Sequence, residues 1–129
     1  MIGGRKVFGT ATLIFGLMSG FASAQFETRA SLPVLSNPIS IATGDFNRDG
    51  KLDLAVAAFF NGKVAVLLGR GDGTFEPATY YTVGANETTG SIVAASLRRE
   101  GLLDLIVTND LSNEVQVLFG RATAPSSQR

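Results

Sequence analysis

The 129-residue sequence contains no cysteine and no histidine. Without cysteine no disulfide can staple the fold, so stability has to come from packing, a metal or partners. Without histidine no Ser-His-Asp triad, Cys-His pair or histidine-ligated zinc site can be assembled, which removes the commonest nucleophilic and metal-hydrolase arrangements. Carboxylate catalysis stays formally open. The acidic residues, however, fall in turns or in one loop rather than as a pair beside a pocket, so no residue is nominated as catalytic and the chain is read as not an enzyme. An excess of one charge is also lacking, with eleven basic and eleven acidic residues. Nothing in that balance favours nucleic acid or an anionic membrane surface as a partner.

The sequence also lacks a long uninterrupted apolar run. Val7–Met18 is mostly apolar, but Gly9, Thr10, Thr12, Gly16 and Ser19 break the stretch, whereas a spanning helix needs about 20 apolar residues. Arg5 and Lys6 precede it and Ala22-Ser23-Ala24 follows it, so residues 1–24 read as a secretory signal peptide cleaved before Gln25. No cysteine follows that would accept a lipid anchor. The expectation is a secreted chain, periplasmic, extracellular or on the cell surface, without a membrane span after cleavage. Removing Arg5 and Lys6 leaves a formal charge of minus two on the mature chain. Roughly 105 residues make one small domain, which buries only about two thirds of its unfolded surface.

What the sequence does have is Asp45-Phe46-Asn47-Arg48-Asp49-Gly50-Lys51-Leu52-Asp53, with oxygen side chains at alternate positions around a glycine. Ca2+ takes six to eight oxygen ligands at about 2.3–2.6 Å, so a short loop must curl and aim alternate residues inward. Asp45, Asn47, Asp49 and Asp53 supply side-chain oxygens in that register, and Lys51 supplies its backbone carbonyl. The start matches an EF-hand loop, but position twelve is Val56 rather than an acid. Leu52–Ala57 then alternates with period two, so the loop joins strands, not helices. The competing reading is a plain Asp-Gly hairpin turn. A hairpin does not need four oxygen side chains, and calcium is the preferred reading.

Ile41–Arg70 aligns without gaps on Ile92–Arg121 at an offset of 51 residues. Gly50-Lys51-Leu52-Asp53-Leu54-Ala55-Val56 faces Gly101-Leu102-Leu103-Asp104-Leu105-Ile106-Val107. A period near 50 built from short strands points to propeller blades. The first unit reads as strands over Ile39–Gly44, Leu52–Ala58, Lys63–Leu68 and Thr74–Val83, and the second over Ser91–Ser96, Leu103–Thr108 and Glu114–Phe119. Asn61-Gly62 and Gly71-Asp72-Gly73 supply turns. The tail, residues 121–129, has no start of a fourth strand and reads as disordered. Phe26–Asn37 aligns with Phe75–Asn86, so residues 26–35 read as a displaced fourth strand.

The fold class is therefore all-β, about two four-stranded antiparallel blades, either a partial propeller or a ring completed by oligomerisation. Propellers typically have four to eight blades. Two units thus call for more, supplied by a homo-oligomer of three or four chains in which residues 26–35 of one complete the second blade of the next. The alternative is that these are blades of a longer propeller, since repeat arrays need several units for stability.

With those residues in view, the chain resembles the FG-GAP or VCBS-type repeats of secreted proteins, related to the blades of integrin α-subunit propellers. Ala42–Ala57 is similar to the family's core motif and Val64–Phe75 to its closing motif. Together with the weaker second unit the resemblance covers residues 25–120, with blades at 39–83 and 91–120. It implies a β-propeller, calcium in the inter-strand loop, and binding rather than catalysis. In the second unit Ser96, Arg98 and Glu100 replace Asp45, Asn47 and Asp49, so one ion per chain is expected, with metal ligands Asp45, Asn47, Asp49, Lys51 and Asp53.

The functional expectation is a non-catalytic, calcium-binding module for adhesion or ligand binding, with a polysaccharide or a surface protein as partner. The alternative is an accessory part or fragment of an exported carbohydrate-active enzyme, or a truncated propeller without function of its own. Arg70-Gly71-Asp72 spells an adhesion tripeptide but reads as the turn between third and fourth strands. Asn86-Glu87-Thr88 is a sequon that matters only in a eukaryotic host. Phe59, Phe60, Tyr80 and Tyr81 read mainly as packing residues, one of each adjacent pair pointing inward.

Overall fold

Period-two alternation of small and branched apolar residues between glycine-rich turns gives, among the described residues, seven strands in two antiparallel sheets. The computed structural model describes residues 23, 25–27, 30–84 and 88–122. Most of the segment read as a signal peptide, Asn86 and Glu87 of the sequon, and the part of the tail from residue 123 lie outside the described residues. The strands are β1 (Pro38–Gly44), β2 (Asp53–Ala58), β3 (Lys63–Leu67), β4 (Thr79–Thr82), β5 (Thr89–Ala95), β6 (Asp104–Asn109) and β7 (Glu114–Leu118). They form a four-stranded meander β1-β2-β3-β4 and a three-stranded meander β5-β6-β7. Among the described residues there is no helix.

The strand pairing repeats between the sheets. Val56 lies opposite Ile41 on one side and Ala65 on the other. Val107, 51 residues on, lies opposite Ile92 and Gln116, the counterparts of those two. The first three strands of the two units therefore share one register, in keeping with the all-β reading.

The fourth strand is shorter than the alternation of Thr74–Val83 suggests. Only Thr79–Thr82 pairs with β3, and Phe75 makes a single bridge to Gly69. Pro77 has no N–H to give the ladder, and the positive φ of Gly71 and Gly73 spends the preceding residues on a turn. As an edge strand β4 leaves both Tyr80 and Tyr81 about half exposed, rather than burying one of the pair. Phe59 meets Phe60 edge to face at 4.7 Å between ring centroids.

The described residues of the 26–35 segment, residues 26, 27 and 30–35, carry no strand pairing in the single chain. Instead Leu32, Val34 and Leu35 lie on one face of the first sheet, against Val56, Ala65 and Leu67. Within one chain the face of the first sheet is apolar and available to it, while the open edge of the second sheet, β7, is elsewhere.

The main core lies between the sheets. Ala42, Ala55, Ala57, Val64, Val66 and Val83 of the first unit meet Ile92, Leu105 and Val107 of the second. Alanines on the first sheet leave room for the larger side chains opposite, the large-against-small interdigitation that close packing requires. Two polar links cross the same seam: Thr89 donates its hydroxyl to the Ala58 carbonyl at 2.6 Å, and the Ile92 N–H donates to Ser40 Oγ at 3.2 Å. Thr89 is fully buried, so that hydrogen bond satisfies a hydroxyl that would otherwise be costly to bury.

Because Leu105 sits in this seam, Leu105→Ala is expected to destabilise the fold by about 2–5 kcal/mol, whereas the exposed Leu111→Ala should change it by less than about 0.5 kcal/mol. Thermal unfolding of the two variants beside the parent measures the difference; equal melting temperatures would place the core elsewhere.

Candidate metal site

The loop Asp45–Leu52 joins β1 to β2 and is closed by its own side chains. Asp45 accepts N–H bonds from Asp49 at 3.1 Å and Gly50 at 2.8 Å. Asn47 Oδ1 accepts from the Asp49 N–H at 3.1 Å, and Asp49 accepts from the Lys51 N–H at 2.9 Å. Arg48 and Gly50 adopt positive φ, 62° and 82°, which curls the chain around these oxygens. Asp45, Asn47 and Asp49 thus turn oxygens toward the loop interior, while the Lys51 ammonium stands 3.9 Å from Asp49 at the rim. Among the described residues no group of three or more acidic side chains converges as a ready metal cluster.

Asp53 has a different position from the other four. It is fully buried at the start of β2, and both its oxygens accept backbone N–H bonds, from Phe46 and from Gly69, each at 2.8 Å. It therefore ties the loop's first residues to the end of the third strand. Gly69 is needed for this, since a Cβ there would collide with the Leu52 carbonyl oxygen.

The same clamp recurs 51 residues later. Buried Asp104 accepts from the Leu97 N–H at 3.2 Å and the Gly120 N–H at 2.8 Å. A Cβ on Gly120 would likewise strike a backbone carbonyl, that of Leu103. What differs is the company each carboxylate keeps. Arg98, at the position of Asn47, donates to Asp104 at 2.8 Å and to the Gly120 carbonyl, and lies 4.7 Å from the centre of the Phe119 ring. Its other nitrogen pairs with Glu100 at 3.3 Å.

That guanidinium holds the Asp104 carboxyl below the ordinary carboxylate range, helped by the two backbone N–H groups and opposed by burial. The Arg98 guanidinium is raised in turn, chiefly by its hydrogen bond to Asp104. In the first unit no Arg or Lys takes the corresponding place: Lys51 lies at Asp49, and Arg48 reaches away to the Glu100 carbonyl of the second unit. The two loops thus adjoin at one end of the paired sheets.

The Arg70-Gly71-Asp72 tripeptide is occupied with its own turn. Asp72 accepts from the Thr74 hydroxyl at 2.6 Å and the Thr74 N–H at 2.9 Å, which lowers its carboxyl below the usual range. Arg70 binds Glu76 at 2.8 Å and the Phe75 carbonyl at 3.0 Å. These bonds are those of a structural turn between the third and fourth strands.

Spacing alone places Asp53 among the metal ligands and does not reveal its backbone clamp. The recurring pair of an aspartate and, sixteen residues on, a glycine, Asp53 with Gly69 and Asp104 with Gly120, is the signal that would have found it. The repeat keeps both residues even where Ser96, Arg98 and Glu100 take the places of Asp45, Asn47 and Asp49.

Two sheets of one repeated meander, stacked face to face, define a protein built of β-propeller blades. Residues 45–107 match the model of the FG-GAP-like repeat, and over that stretch the chain is similar to proteins built of such repeats. No curated protein and no solved structure matches it significantly.

The Asp104 clamp carries a pH signature. Its carboxyl is depressed in the folded chain, so the stabilisation it brings is fully present above the unfolded value near 3.8 and is lost as pH falls through the lower folded value. Asp104→Asn should therefore melt well below the parent at pH 7, with the gap shrinking below about pH 4. Melting curves from pH 7 to pH 2.5 follow it. A gap that stays constant with pH would remove the ionised clamp from the account.

Proposed function

We propose that the chain is a secreted, non-catalytic, calcium-binding β-propeller repeat module for adhesion or ligand binding. The observation that supports calcium most is the unequal company of two equivalent buried carboxylates. Asp104 has a guanidinium beside it, whereas Asp53 has three oxygen-bearing side chains on its loop and no basic partner. A buried carboxylate needs compensation by charge or hydrogen bonds, and the carboxylates of Asp45 and Asp49 on the same loop add negative charge to be answered. A divalent cation answers it in the first unit as arginine does in the second.

Asp45, Asn47 and Asp49 would hold the ion through side-chain oxygens and Lys51 through its carbonyl. Asp53, whose oxygens already accept two N–H bonds, would contribute through its remaining lone pairs while fixing the loop. Calcium supplies positive charge and cross-links the turn; it performs no reaction here. Extracellular sites of this ligand class bind at about 0.1–1 mM, within reach of calcium outside cells.

The binding role draws support from exposed apolar surface. Phe60, Tyr80 and Tyr81 present rings to solvent, and Tyr81 lines a cleft of about 540 Å3 with Phe46, Leu103, Phe119 and Arg121. A largely apolar cleft of this size suits a sugar ring or a protein side chain. The polysaccharide or surface protein it would take is to be found by screening a glycan array.

At calcium ten times its dissociation constant, binding should add about 1.4 kcal/mol of stability and raise the melting temperature relative to excess chelator. Asp49→Ala should abolish the rise, while Arg98→Ala in the second loop should leave it. Melting temperatures that are the same in calcium and in chelator would defeat the calcium reading.

A further inference from the structure

Matching the faces of the two sheets through the offset of 51 residues exposes an asymmetry. The face of the first sheet that meets the second carries Ala42, Val64 and Val66, exposed by 8%, 0% and 8%. Their counterparts on the second sheet, Val93, Val115 and Val117, are exposed by 51%, 62% and 40%. Phe46 and Leu68 pack on the inter-sheet core, and their counterparts Leu97 and Phe119 are both more than half exposed. The second sheet thus leaves open the face that the first sheet covers.

The opposite end of the chain shows the complementary deficit. Ile92 of the second sheet is 3% exposed against the first, whereas its counterpart Ile41 is 60% exposed on the far face of the first sheet. That far face carries Val56 and Leu67, as the matching face of the second carries Val107 and Leu118. The one interface inside the chain therefore has its two halves repeated at the two ends, one open and the other covered in part by Leu32, Val34 and Leu35.

The N-terminal segment fits the same scheme. At the offset of 49 residues that aligns it with β4, Val34 corresponds to Val83. Val83 packs into the core between the sheets, and Val34 packs against Val56 on the far face of the first. Residues 30–35 thus lie where the fourth strand of a preceding blade would lie. Among the described residues β7 has no strand on its outer side, whereas its counterpart β3 pairs with β4.

We propose that the open face of the second sheet docks on the far face of the first sheet of another copy of this chain, whose residues 30–33 pair with β7 as its fourth strand. The register follows from β3 and β4, where Lys63 faces Thr82 and Ala65 faces Tyr80. Glu114 then faces Pro33 and Gln116 faces Ser31 of the other copy. A proline at an outermost strand costs no ladder bond on its solvent side. The contact is head to tail, so it closes into a ring or runs on as a filament. Rings of about four to eight blades contain two to four copies. The proposal stands on the matched faces and holds whether or not the loop takes calcium.

The experiment is the solution mass of the chain by light scattering over a range of concentrations, beside Val93→Lys and Val115→Lys. Both sites are exposed in the single chain, so the charge should not disturb its fold. The expected result is a multimer for the parent and a folded monomer for each variant. A parent that stays monomeric, or folded variants that keep the parent's mass, would overturn the proposal.

The absence of native cysteine allows a second reading that does not depend on those variants folding. Ser31→Cys and Gln116→Cys chains are mixed and oxidised. A disulfide joining one chain of each kind, at a yield well above that of either chain with itself, supports the register. A yield no higher than in the unmixed samples overturns it.

Discussion

Each blade is held by a buried carboxylate that accepts two backbone N–H bonds, one from the start of its loop and one from the end of its third strand. Asp53 binds Phe46 and Gly69, and Asp104 binds Leu97 and Gly120. Backbone donors in an irregular connection must find an acceptor once removed from water. An aspartate that serves two of them fixes the angle between neighbouring strands and so the placement of both loops. It also puts negative charge inside a small fold without disulfides, and the surroundings of each loop answer that charge.

The two answers explain why units so alike have diverged. In the second unit a guanidinium lies beside the carboxylate, rests against Phe119, and makes the loop self-sufficient. In the first unit the loop gathers further oxygens, an arrangement that becomes favourable when a cation is present. The same carboxylate thus serves as a packing element in both blades. Asp104 recurs where Ser96, Arg98 and Glu100 stand in place of Asp45, Asn47 and Asp49, which separates the carboxylate clamp from the rest of the loop.

Blade stacking places a second constraint on the chain. Each sheet has two apolar faces, because a blade in the middle of an array is covered on both sides. The first sheet is covered on one face by the second sheet and in part on the other by Leu32, Val34 and Leu35. Among the described residues the second sheet is covered on one face alone. Exposed valines in rows across a sheet are a surface that soluble monomers seldom keep, and an open strand edge beside them is a template for pairing.

Much of the fold was legible in the sequence because alternation is a local property. Val64-Ala65-Val66-Leu67 and Val115-Gln116-Val117-Leu118 mark strands whatever surrounds them, and the offset of 51 residues makes one blade a copy of the other. The oxygen spacing from Asp45 to Asp53 likewise marks a loop suited to a hard cation. Only the tertiary structure decided that Asp53 spends both oxygens on backbone donors, since Gly69 reaches it across the sheet from sixteen residues away. It likewise decided that β4 shrinks to four residues, that Arg98 turns inward to Asp104, and which faces are left open. Those outcomes depend on what neighbouring elements offer: an unpaired N–H, a buried charge, an apolar face of the right width. Residue order fixes the alternation and the turns, whereas partners distant in the chain determine which groups are satisfied and which remain exposed.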